Sequence, residues 1–111
     1  MKTLKFKDHL VSKILDGSKI ITWRLFDDKD LQVGDMLVFI NSVSGKEFAK
    51  AKITGVREKK LGEIQEADFE EGHEKYKSQE DMLAHYRDYY GNRVDLNSVI
   101  KIIQFKLLEI L

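Results

Sequence analysis

Apolar residues recur along this chain at two periods, and the switches between them mark out the elements. Leu4 and Phe6 alternate with Lys5 and Lys7, which predicts a short first strand. Leu10, Val11, Ile14 and Leu15 then share one helical face, with Asp8 placed to cap the start and Asp16-Gly17 to end it. Ile20 to Phe26 returns to strand character, Asp27 to Asp30 is a solvated loop, and Val33-Gly34-Asp35 is a turn into the apolar strand Met36 to Ile40. Asn41 to Lys46 contains Ser44-Gly45 and predicts a hairpin connection. Glu47 to Val56 alternates once more, with Ala49, Ala51 and Ile53 opposed to Lys50, Lys52 and Thr54. Small residues at Ala49 and Ala51 suit a crowded interior, and Gly55 suits a bulge.

The second half begins with a basic cluster, Arg57, Lys59 and Lys60, expected in a solvated loop. Leu61 to Phe69 predicts a short helix, and Glu70 to Glu74 an acidic loop. Ser78 and Asp81 form a capping pattern for a helix whose stripe is Met82, Leu83, Tyr86, Tyr89 and Tyr90. Tyrosines at that spacing are expected to be core residues with polar tips. Gly91 ends the helix, Asn92 to Asn97 is a loop, and Val99 to Leu111 is a long strand that closes the sheet. Strands interleaved with helices in this order predict an α+β protein with a mostly antiparallel sheet.

Composition narrows the function classes. At 111 residues the chain is expected to be one domain, spanning positions 1–111. Nineteen basic and nineteen acidic residues cancel, so no global basic field advertises strong nonspecific binding to polyanions. The absence of cysteine leaves no disulfide framework and no thiolate metal site, which fits a cytoplasmic setting. Met1 to Lys7 has no apolar core of signal-peptide length, and no run approaches a membrane span. His9, His73 and His85 are scattered, expected on surfaces or helices, and no metal is expected. No Gly-rich phosphate loop or aromatic RNA-binding signature is present, and no cofactor is expected.

The stretch with chemistry in it is Gly17-Ser18-Lys19-Ile20-Ile21-Thr22-Trp23-Arg24. A desolvated lysine, or one beside another cation, loses its proton more readily and can serve as a base. A neutral amine within reach of a hydroxyl makes that hydroxyl a nucleophile. Arg24 could pin an anionic or carbonyl oxygen. Strand parity puts Thr22 and Arg24 on one face and Trp23 on the other, in the core. Lys19 can therefore meet Thr22 only from the turn that follows Gly17 or across a bulge, and the turn is the expectation.

The pattern G-x-K-x-x-T-x-R, followed by Leu31-Gln32-Val33-Gly34-Asp35-Met36-Leu37, resembles the ASCH domain, a family of small PUA-like β-barrels. The family's commonest motif carries glutamate where Thr22 stands. Threonine there is similar to the bacterial N4-acetylcytidine amidohydrolase branch. Glu71-Gly72, the helix ending in Tyr89-Tyr90-Gly91 and the long final strand fit the same family, so the resemblance spans nearly the whole chain.

That resemblance implies a PUA-like, mostly antiparallel β-barrel with flanking helices. It also implies a hydrolase that removes the acyl group from N4-acylated cytidine or cytosine. Lys19 would be the base, Thr22 the nucleophile, and Glu71 the carboxylate that completes a triad, with Glu70 and Glu74 as alternatives. Arg24 would organise the site or hold a substrate oxygen. The partner implied is a small nucleoside, without metal or membrane. The competing implication is a non-catalytic RNA- or nucleotide-binding module that uses the same cleft, in which Lys19 and Arg24 grip phosphate or a base edge.

Overall fold

A computed structural model describes residues 1–26, 29–65 and 76–111. Five strands form one sheet: β1 (Lys2–Phe6), β2 (Ile21–Leu25), β3 (Met36–Asn41), β4 (Glu47–Lys60) and β5 (Val99–Ile110). Helix α1 (Asp8–Leu15) connects β1 to β2, and α2 (Gln79–Tyr90) precedes β5. The sheet order is β1-β3-β4-β5-β2, and the sheet curls into a half-barrel. Every pairing is antiparallel except β1 with β3. This is the α+β, PUA-like architecture expected from the sequence.

β4 and β5 supply the spine, because their alternating side chains let both faces be covered. Inside the curl, Phe39 is fully buried and meets Phe6 and Phe105 edge-to-face, at centroid distances of 4.8 and 4.9 Å. Such pairs add about 0.5–1.5 kcal/mol each beyond the burial of area. Ala49 and Ala51 are also fully buried here, where Ile14 of α1 packs in. A second core forms on the other face, where Ile21, Trp23 and Leu25 of β2 pack with Ile100 and Ile102 of β5 and with Met82 and Tyr86 of α2. The register Thr22↔Ile103 and Trp23↔Ile102 explains this split: neighbouring positions of β2 face different cores.

Several elements differ from their sequence-based bounds. The basic cluster Arg57, Lys59 and Lys60 is no loop; β4 runs on through it and pairs with Ile102, Ile100 and Val99. Lysines on a two-sided ladder can stay in solvent while their backbone pairs, which charge counting alone misses. The helix expected over Leu61 to Phe69 is a 3-10 turn, Leu61–Glu63, followed by extended backbone at Ile64. Its tail, with the acidic loop Glu70 to Glu74, lies outside the described residues. Gly55 does mark a register shift: a Cβ there would meet Gln104 Oε1 at 3.1 Å. Among the described residues, no helix is long and apolar enough to cross a membrane.

Candidate functional site

β1 and β2 are the two edges of the sheet, and the seam between them is where the half-barrel stays open. Arg24 bridges that seam. Its Nη2 donates to the Lys5 carbonyl at 3.0 Å, and its guanidinium lies 4.9 Å from the centre of the Phe6 ring. The loop after β2 ties the same edge further along. Lys2 donates to the Asp30 carbonyl and pairs with Asp35 at 2.7 Å, and Lys29 donates to the Thr3 carbonyl.

A cleft of about 310 Å³ sits in this seam. That is near the lower end of the ~300–1,000 Å³ usual for small-molecule sites. One side is built by Lys5, Phe6, Lys7, His9 and Leu10, from β1 and the start of α1. Lys19, Thr22, Trp23 and Arg24 line it from the α1–β2 turn and β2. Tyr76 and the α2 residues His85, Tyr86, Tyr89 and Tyr90 face them, and Ser42 completes the lining.

Lys19 reaches this cleft because α1 ends abruptly. Gly17 adopts φ +85°, a left-handed conformation that suits glycine, and the Asp16 carboxylate accepts from the Ser18 amide at 2.8 Å. The Lys19 amide then donates to the Lys13 carbonyl at 3.0 Å, which keeps Lys19 in the turn and out of strand alternation. Ile20 is turned outward, 37% exposed, while Lys19 is 4% exposed and Thr22 5%. Those two are the buried polar or charged side chains among the described residues. Burying a lysine ammonium costs several kcal/mol unless its charge is compensated. Such a group in a cleft marks a functional-site candidate.

The opposite wall follows from the capping of α2. Ser78 Oγ accepts from the Asp81 amide at 3.1 Å, and Gly91, at φ +82°, ends the helix with its amide on the Arg87 carbonyl. The tyrosine stripe is thereby turned partly to the core and partly to the cleft. Tyr86 is 4% exposed and Tyr89 48%. Burial pushes the Tyr86 hydroxyl well above the usual tyrosine range, and the neighbouring Tyr76, also hydrogen-bonded to it, adds to the rise. The rings form a continuous surface, with His85 5.2 Å from both Tyr76 and Tyr89. Lys7 Nζ lies 4.5 Å over the Tyr89 ring and so spans the mouth of the cleft.

The structure thus brings Lys19, Thr22 and Arg24 to one cleft. Glu71, with its alternatives Glu70 and Glu74, lies outside the described residues. Sequence reasoning missed the lining roles of Lys5, Lys7, His9, His85 and the tyrosines. The tyrosine stripe was visible, but its spacing does not distinguish a core face from a cleft wall. Among the described residues, no cluster of His, Cys, Asp or Glu is arranged to hold a metal ion.

The sequence matches no protein-family model and no curated protein. Solved structures do match. The ASCH domain from Lactobacillus crispatus is 18% identical, with a TM-score of 0.71 over 96% of this chain and 79% of that one. An Enterococcus faecalis protein from a family of unknown function is 13% identical, with a TM-score of 0.75 over 93% of this chain and 72% of that one. ASCH from Zymomonas mobilis is 10% identical, with a TM-score of 0.67 over 98% of this chain and 71% of that one. On its strand order, its half-barrel and these neighbours, the chain has the fold of ASCH-domain proteins.

Proposed function

We propose that this protein is an amidohydrolase that removes the acyl group from N4-acylated cytidine or cytosine, converting N4-acetylcytidine to cytidine and acetate. The observation that carries the reading is the burial of Lys19 and Thr22 together on one small cleft. Neutral Lys19 Nζ takes the proton of Thr22 Oγ1 as that oxygen attacks the acyl carbonyl carbon. The tetrahedral adduct collapses with cleavage of the carbonyl–N4 bond, and the proton passes to N4. Cytidine leaves, and water then hydrolyses the threonine ester to release acetate. Glu71 would orient Lys19 and balance its charge when protonated. Arg24, already fixed across the seam, holds the β2 side of the site in place or donates to a substrate oxygen. The chemistry calls on no metal or cofactor.

A second reading is supported by the lining itself. Four of its residues, Lys5, Lys7, Lys19 and Arg24, are cationic, and they face an aromatic wall. A cleft of that kind suits a binding module that holds RNA or a nucleotide without turnover. Incubating the purified protein with N4-acetylcytidine and following ultraviolet absorbance separates the two. Conversion to cytidine with release of one acetate per turnover is expected; unchanged absorbance at high protein concentration would leave the binding reading in its place.

A further inference from the structure

We propose that the mouth of the cleft is a terminal-phosphate subsite and that the ligand which fits the whole site is a 5′-phosphorylated cytidine; the choice of base rests on the amidohydrolase reading. The argument starts from the shape of the substrate. In cytidine, N4 lies on the opposite side of the base from the ribose. A nucleoside whose N4-acyl group meets Lys19 and Thr22 on the buried floor therefore trails its ribose and 5′ oxygen toward solvent. What stands at that opening is a pair of lysines: Lys7, whose ammonium crosses the mouth to Tyr89, and Lys5 along the same rim. Among the described lining residues there is no carboxylate, although the chain as a whole has equal numbers of acidic and basic residues. A neutral nucleoside makes no use of such a rim. A phosphate monoester carries between one and two negative charges at neutral pH and three acceptor oxygens. Lys7 can exchange an exposed ring for it, since cation–π contacts at open sites are weak.

Calorimetric titrations of the full chain with cytidine and with cytidine 5′-monophosphate test this without requiring turnover. The nucleotide is expected to bind about tenfold tighter at low salt. That ratio should shrink at high salt, because an exposed rim is screened. In the double variant Lys5→Gln/Lys7→Gln, and to a lesser degree in Lys7→Gln alone, the ratio should fall to within about threefold. Circular dichroism on the same samples checks that the fold survives. Equal affinities in the wild type, or a ratio that the double variant does not change, would overturn the subsite. So would tighter binding of the dinucleoside monophosphate CpC than of the mononucleotide, since that ligand offers an internal phosphodiester and no terminal phosphate. The subsite and the hydrolase reading can fail separately. A tenfold ratio lost in the double variant, in a protein that does not hydrolyse N4-acetylcytidine, supports the subsite and retires the reaction. Hydrolysis with a ratio near one does the opposite.

Discussion

The floor and the mouth of the cleft both present lysine, yet they present it under opposite physical conditions. Lys19 is 4% exposed and Thr22, which lines the same cleft, 5%; a tight turn fixes the first and an edge strand the second. Lys7 lies in open solvent at the N-terminal end of α1, with its ammonium over the exposed ring of Tyr89. Desolvation makes the charge of the first expensive and its proton chemistry tunable. Solvation keeps the second a screened point charge that can swing to a ligand at small cost. Residue type alone therefore does not assign a role: the same side chain suits proton transfer in one place and anion capture in the other.

The largest effects should come from the floor. If Thr22 is the nucleophile, Thr22→Ala should cut N4-acetylcytidine hydrolysis by at least about a thousandfold, with fold and cytidine affinity nearly intact. Thr22→Ser should keep part of the rate, because the hydroxyl remains and only the rotamer restriction is lost. Lys19→Arg should be as damaging as Lys19→Ala, since a guanidinium keeps its charge and cannot give up its proton. A near-wild-type rate in Lys19→Arg would end the lysine-as-base mechanism and make the floor resemble the mouth.

Much of this contrast was legible before any coordinates. Parity along β2 left Lys19 a turn or a bulge from which to approach Thr22, Gly17 favoured the turn, and that is where Lys19 lies. The alternation of Glu47 to Val56 gave a strand, and Ser78 gave a helix cap. What stayed hidden depends on contacts between distant segments. β1 pairs in parallel with β3, an edge placement that leaves no mark in the five residues of one partner or the six of the other. The mouth exists only because that placement brings Lys5 and Lys7 opposite the tyrosines of α2. Likewise, nothing local to Arg57, Lys59 and Lys60 reveals that β5 is long enough to pair with them.

Between floor and mouth lies the seam, and Arg24 spans it. Arg24→Ala removes the hydrogen bond to the Lys5 carbonyl and the contact with Phe6, and is expected to cost about 1–3 kcal/mol in urea unfolding. Arg24→Lys should recover little of that, because an ammonium has no planar face to lay on the ring. A cost below about 0.5 kcal/mol for Arg24→Ala would mean that the two edges hold together without it.

Tyr86 tests the buried part of the aromatic wall through pH. Its hydroxyl titrates well above the ordinary tyrosine value of 10.0 in the folded protein, chiefly because it is desolvated. The sign follows from the two states. Below pH 10.0 the phenol is neutral whether the chain is folded or unfolded, so its contribution is fully present. As pH rises past that value the unfolded chain releases the proton first, and stability is lost until the folded group titrates too. Tyr86→Phe removes this loss. The stability gap between wild type and variant, measured by urea unfolding from neutral pH to above pH 10.0, should therefore shift in favour of the variant as pH rises. A gap constant across that range would place Tyr86 in water and erase its difference from Tyr89.

Tyr89 should give the smallest effect. Its ring is 48% exposed, and its described contacts are with Lys7, His85 and Tyr90 on the rim. An exposed cation–π contact contributes about 0.5–1 kcal/mol at most, and Tyr89→Leu keeps part of the apolar area that the ring covers on α2. The substitution should therefore change unfolding free energy by no more than about 0.5 kcal/mol. Its helical position also argues for tolerance, since leucine is a better helix former than tyrosine. Phenylalanine at the same position should be closer still to wild type, because the ring face that Lys7 meets is retained. A loss above about 1.5 kcal/mol for Tyr89→Leu would show that the rim is packed as tightly as the floor, and the division between a rigid buried pair and a solvated, exchangeable mouth would fall with it.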